Sequence, residues 1–176
     1  MKSKSIPIKK YIVKYGILFG IASIIFSLTS YLMGNYTEQG LVHLVIRLFI
    51  TITSIIIGQL SYRKNNDNYI SLGEAIKIGV GIIVLGGLMA IIWEILLLKV
   101  IDPEIITELA DNQIKKIAEN AKDFTLENMD RKIELTNKIT SPHIMLIGAL
   151  AENIFIGFLF SLIGGLIIQK KRDPFK

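Results

Sequence analysis

Hydrophobic positions along this chain gather in four blocks, about residues 12–33, 41–60, 76–100 and 144–168, with the charged residues between and outside them. Each block is close to the roughly 20 residues a helix needs to cross ~30 Å of hydrocarbon. The pattern predicts an all-α integral membrane protein with four transmembrane helices in a single membrane domain over 1–176. Local signals mark the ends of the blocks. Pro7 stands where a first helical turn tolerates proline. Gly34-Asn35-Tyr36-Thr37 reads as a turn, with Thr37 as N-cap of the second helix and Glu38 in its acidic first turn. Arg63-Lys64-Asn65-Asn66-Asp67-Asn68 ends that helix. Ser71-Leu72-Gly73-Glu74 fits a capping box, so the third helix begins before its apolar run. Asp102-Pro103 closes the third span and opens a new helix, and Ser141-Pro142 opens the fourth.

The polar stretch from Asp102 to Ser141 has its own periodicity. Ile106, Ala110, Ile114, Ile117, Ala121 and Phe124 recur at spacings of three and four, marking one face of an amphipathic helix. Thr125 can cap a second short helix carrying Leu126, Met129 and Ile133. Acid-before-base pairs at i,i+4 (Asp111/Lys115, Glu127/Arg131, Glu134/Lys138) support helix throughout. The expectation is an ordered helical insert over about 102–141.

Composition adds little to this distribution: 51% of residues are hydrophobic and mean hydropathy is +0.51. The absence of cysteine excludes disulfides, thiolate metal sites, a cysteine nucleophile and a thioether lipid anchor. A net charge of +5 sits beside hydrophobic blocks rather than in a patch with interleaved aromatics, which argues against a nucleic-acid partner. The apolar run from Tyr15 to Met33 is too long for a signal-peptide core and no small-residue cleavage site follows it, so it reads as a retained span.

Charge does decide orientation. Lys2, Lys4, Lys9, Lys10 and Lys14 precede the first span, and Arg63, Lys64 and Lys77 lie around the second connection. Lys170, Lys171, Arg172 and Lys176 follow the last span, and the first connection has no basic residue. The insert carries six basic and nine acidic residues. By the positive-inside bias both termini are expected in the cytoplasm and the insert outside it.

Small residues at four-residue spacing recur in every span: Gly16/Gly20, Ser54/Gly58, Gly86/Ala90 and Gly157/Ser161/Gly165. They allow either homo-oligomerisation or, as favoured here, close packing inside one bundle. Lys14-Tyr15-Gly16 and Lys77-Ile78-Gly79 hint at a duplicated two-helix hairpin, though such a helix start is commonplace.

Three ionisable residues lie well inside spans: Arg47, Glu94 and Glu152. Charge there is costly in hydrocarbon and marks a candidate site. At 1.5 Å per residue, Arg47 and Glu94 lie about 9 Å and Glu152 about 12 Å from the outer ends of their spans, so all three can share one level. Asn153 adds an interhelical hydrogen-bonding group. The bland reading is a structural clamp fixing which faces meet; the sharp reading is a proton or cation site, since two carboxylates outnumber one guanidinium. Trp93, beside Glu94, reads as a packing or interface residue. His43 and His143 fall at span edges and, with Glu152, lack any metal-binding spacing; no metal or other cofactor is expected. Phosphate-loop, nucleophile-elbow, kinase and dinucleotide motifs are absent, so no enzymatic activity is expected.

Three segments carry a resemblance: Lys10-Tyr11-Ile12-Val13-Lys14-Tyr15-Gly16, Ile70-Ser71-Leu72-Gly73-Glu74-Ala75-Ile76-Lys77-Ile78-Gly79, and the acidic helical insert followed by the last span and its basic tail. The chain resembles the bacterial four-span membrane proteins grouped as domain-of-unknown-function family 4199. That resemblance implies a bacterial inner-membrane location and assigns no activity or functional residue. The leading expectation is a non-enzymatic scaffold or accessory protein, in contact with the lipid bilayer and reaching a protein partner through the insert. The alternative is a small proton- or cation-coupled transporter using Glu94 and Glu152 with Arg47.

Overall fold

The computed structural model describes residues 6–37, 40–119, 135, 138 and 141–170. Five α-helices are present among them: α1 (Ile8–Leu32), α2 (Leu41–Asn65), α3 (Leu72–Leu96), α4 (Glu104–Glu119) and α5 (Pro142–Ile168). A π-helical turn, Leu97–Ile101, extends α3. Four stretches (Ile8–Leu32, Leu41–Asn65, Leu72–Ile101 and Ile144–Ile168) are long and apolar enough to cross a membrane.

Helix ends follow mostly from local chemistry. Gly34 takes φ +70° after α1, and Asn35 N–H donates to Ser30 O while Gly34 N–H donates to Tyr31 O, a paired closure that uses glycine's access to left-handed backbone. At α3 both halves of the capping box form: Glu74 N–H donates to Ser71 Oγ at 3.3 Å, and Ser71 N–H donates to Glu74 Oε2 at 2.8 Å. Thr37 does not cap α2. That helix starts at Leu41 after Gly40 with no side-chain cap, and the Thr37 hydroxyl donates instead to Glu108 in α4 at 3.1 Å.

The spans form a bundle in which α3 packs against α1, α2 and α5, while α2 also touches α1 and α5. Backbones approach where the small residues lie. A Cβ placed on Gly86 would stand 2.5 Å from Gly16 O and 2.8 Å from Gly20 N, so α1 and α3 meet backbone to backbone. Gly157 faces Ile83, and Gly165 faces Ala75 and Leu72 across the α3–α5 contact. These small-residue stripes are used in packing within one chain, as lipid-immersed helices require.

Packing is tightest at the end where the basic residues gather. Tyr11 and Tyr62 meet edge to face at 5.3 Å, joining the start of α1 to the end of α2. The fully buried Tyr62 donates its hydroxyl to Glu74 Oε1 at 2.7 Å, so the α3 cap is also a clasp onto α2. Gln59, also fully buried, donates to the carbonyls of Ala75 and Ser161, both at 3.1 Å, and so ties α2 to α3 and α5. Ile70 and Lys170 exchange both backbone hydrogen bonds, which seats the end of α5 beside the α2–α3 turn. The segment from Ile70 to Ala75 thus serves three helices at once.

The other end is looser. Buried residues of α2 begin at Thr51, and in α5 they lie at Gly157, Ser161, Gly164 and Gly165. The earlier halves of both helices carry Arg47, Glu152 and Asn153.

Helix α4 folds back on this loose end. Ile105 and Leu109 are buried against Leu97 and Leu98, with Tyr31, Tyr36, Trp93 and Met145 around them. The docked face therefore centres on Ile105 and Leu109, whereas Ile106, Ala110 and Ile114 of the predicted stripe are only partly covered. The first two turns of α4 make the contact. Ile117 keeps its place in the helix, but its side chain and the predicted second helix from Thr125 to Ile133 lie outside what the structure describes.

Candidate functional site

Between the loose halves of α1, α2, α3 and α5 lies a cavity of about 640 Å³. Its lining runs from the exposed Gly40 and Leu41 at the start of α2 to Phe19, Thr51, Gly87 and Ile156. Arg47, Glu94, Glu152 and Asn153 all line it, so the polar residues that sequence depth places at one level share one space.

Their roles differ. Arg47 Nη2 pairs with Glu152 Oε1, bridging α2 and α5. Both side chains are about half exposed, at 57% and 50%, so the pair spans an open cleft rather than a sealed core. Glu94 is half-buried on α3 and forms no ion pair or hydrogen bond among the described residues, although the charges of Arg47 and Glu152 both reach it. One guanidinium therefore does not hold both carboxylates. Asn153 lies against α3, its amide nitrogen 2.9 Å from where a Cβ on Gly87 would stand, so any larger residue there would displace it.

Other residues complete the site. Trp93 donates its indole N–H to Ser27 Oγ at 3.0 Å, a tertiary bond between α3 and α1 rather than simple packing. Tyr36, which sequence pattern places only in a turn, reaches into the same wall. Burial pushes its phenol well above the usual tyrosine value, the negative charge of Glu94 adds to the rise, and a hydrogen bond with Ser27 opposes it. His43 stacks at a tilt on Phe26, with ring centroids 5.8 Å apart. Ser23, Ser27 and Ser30 form a polar ladder on one face of α1, a spacing that was visible in the sequence as a signal for this wall. Gln59 was equally visible as an amide inside an apolar run, though only its buried contacts reveal its bridging role.

Among the described residues no three His, Cys, Asp or Glu side chains are grouped to hold a metal ion. The side chain of His143 lies outside those described.

The charged and amide groups of the spans face this largely apolar cavity, while the outside of the bundle carries large apolar side chains: Phe49, Phe155 and Ile167 are 69%, 66% and 78% exposed. Water-soluble proteins do not present such continuous belts of large apolar side chains, whereas hydrocarbon solvates them. This is a multi-pass integral membrane protein with four transmembrane helices. It belongs to the family described as "Protein of unknown function (DUF4199)", which matches residues 14–170. No curated protein and no solved structure matches it significantly.

Proposed function

We propose that the chain is a non-enzymatic accessory protein of a bacterial cytoplasmic membrane, with both termini in the cytoplasm and α4 held on the outer side as a docking element for a protein partner. The Lys and Arg bias at the α2–α3 connection and the two tails supports the orientation. The observation that carries the role is the seating of α4. Ile105 and Leu109 anchor it, Thr37 binds Glu108, and the Tyr31 hydroxyl donates to Asp102 Oδ2 at 3.3 Å. A helix fixed this way presents Thr107, Asp111 and Lys115 outward in one orientation, which lowers the entropic cost of recognition.

The cysteine-free chain makes the test direct. In intact cells a membrane-impermeant maleimide labels Thr107→Cys and leaves Asn65→Cys unlabelled until the membrane is opened. A photo-crosslinker at Asp111 then captures a protein partner, and deletion of 102–140 abolishes both the capture and the phenotype of the intact gene. An unchanged phenotype and unchanged set of partners after that deletion rejects the accessory role.

The cavity favours a second reading, a proton- or cation-coupled transporter in an outward-open state. That reading requires the clasp of Tyr62, Glu74 and Gln59 to open. Proteoliposome flux that is equal in wild type, Glu94→Gln and Glu152→Gln removes it.

A further inference from the structure

We propose that the cavity among α1, α2, α3 and α5 is a binding site for an organic ammonium group, with Glu94 as its counter-charge and Tyr36 and Trp93 as the aromatic surface beside it. The inference rests on the cavity's own residues and on neither reading of the chain's role.

Charge accounting comes first. Arg47 is engaged by Glu152, so those two charges offset each other. Glu94 faces the same space with no partner among the described residues. With Glu94 ionised the surplus is one negative charge, and an anionic ligand would compete with Glu152 for Arg47, the one guanidinium among the described lining residues, and meet the repulsion of both carboxylates. A cation enters without breaking an existing pair.

Size and lining then choose among cations. About 640 Å³ lies within the range of small-molecule pockets and far exceeds the space of a bare ion. Tyr36 and Trp93 line it beside Glu94, and electron-rich ring faces attract ammonium groups most where water is scarce. Trp93 is held in place by its bond to Ser27, so that part of the wall is set before a ligand arrives. The lining also offers Phe19 and Ile156 to whatever apolar substituent the nitrogen carries.

The amine can come from a soluble compound, or from the headgroup of a lipid in the leaflet at this end of the bundle. The test uses the full chain in phosphatidylglycerol nanodiscs, with calorimetric titration of choline, ethanolamine and tetraethylammonium. The uncharged isostere of choline, with carbon in place of nitrogen, is the control. The expected result is saturable binding of at least one cation, none of the isostere, and weakening by about tenfold or more in Glu94→Gln. Glu94→Gln removes a carboxylate from a span, so its unfolding in detergent is measured beside its binding; if it does not fold, Tyr36→Leu supplies the same comparison. Absence of binding by all three cations, equal binding of the isostere, or wild-type affinity in a folded Glu94→Gln overturns the proposal. Repeating the titration with phosphatidylethanolamine in the nanodisc identifies the source. Competition there assigns the amine to lipid and unchanged affinity assigns it to a soluble compound, and both uphold the site.

Discussion

The contact between α1 and α3 offers a sharp test of how this bundle holds together, because a single methyl group at Gly86 meets backbone atoms of α1 as well as the Phe19 ring. In Gly86→Ala the new Cβ would stand 2.5 Å from Gly16 O and 2.8 Å from Gly20 N, against ordinary contact starting at 3.4 Å. The Phe19 ring can turn aside but the two backbone atoms cannot, so the helices must separate by about 0.9 Å, the shortfall of 2.5 from 3.4. Separation also loosens the close fits of Gly16 on Leu85 and Gly20 on Met89. Lipid supplies no hydrophobic force to restore them, because association in the bilayer depends on this packing. Overpacking of this kind costs about 2 kcal/mol. Gly148→Ala is the matched control: it makes the same change in α5, where nothing lies within 4 Å of the new Cβ. Transmembrane helices persist in the unfolded state in SDS, so the difference in helix propensity largely cancels and the control should lie within about 0.5 kcal/mol of wild type. Reversible unfolding in mixed micelles, followed by the fluorescence of the single tryptophan, Trp93, measures both. If Gly86→Ala is as stable as Gly148→Ala, the backbone contact between α1 and α3 does not exist in the protein.

Three further outcomes follow from the same geometry. Arg47→Gln and Glu152→Gln should each loosen α2 from α5, and the double variant should lose less than the sum, with a coupling of about 1 kcal/mol in a double-mutant cycle because the pair is half exposed; strict additivity counts against the bridge. Leu109→Asp, which puts a charge into the contact with Leu97 and Leu98, should release α4 and expose residues 104–119 to limited proteolysis while the four spans stay resistant; an unchanged cleavage pattern argues that α4 is not docked through Leu109. Tyr36 has its folded-state value raised above the ordinary 10.0, so its contribution to stability is present below about pH 10 and is lost as pH climbs through the folded value. Spectrophotometric titration should show one late-ionising tyrosine disappear in Tyr36→Phe, and a Tyr36 that ionises with the exposed tyrosines contradicts its burial beside Glu94.

Much of the architecture was legible in the residues because hydrocarbon is a strict solvent. A helix must satisfy its own backbone there, so block length and composition alone mark the spans. The capping box at Ser71 and Glu74 was equally legible, since it depends on residues three apart in one chain segment. Arg47, Glu94 and Glu152 were placed at a common depth by counting along straight helices, and they do line one cavity. Depth carries no azimuth, however, and so could not say which carboxylate takes the guanidinium. Thr37 shows the same limit. Its local pattern suits a helix cap, yet a partner far along the chain, Glu108, takes its hydroxyl.

What the sequence determined by itself is therefore everything that one helix and its solvent settle together: the number of spans, their approximate ends, the small-residue faces and the stretch that becomes α4. What only the tertiary structure decided is how those helices turn toward one another. Tyr62 and Gln59 close the basic end by reaching across to other helices, Glu152 rather than Glu94 claims Arg47, and Tyr36 and Trp93 converge on one wall. The physical reason is that helix rotation in lipid is governed by short-range fit and individual hydrogen bonds rather than by burial of an apolar face. Such contacts join residues distant in the chain, and no periodicity within a single span encodes them.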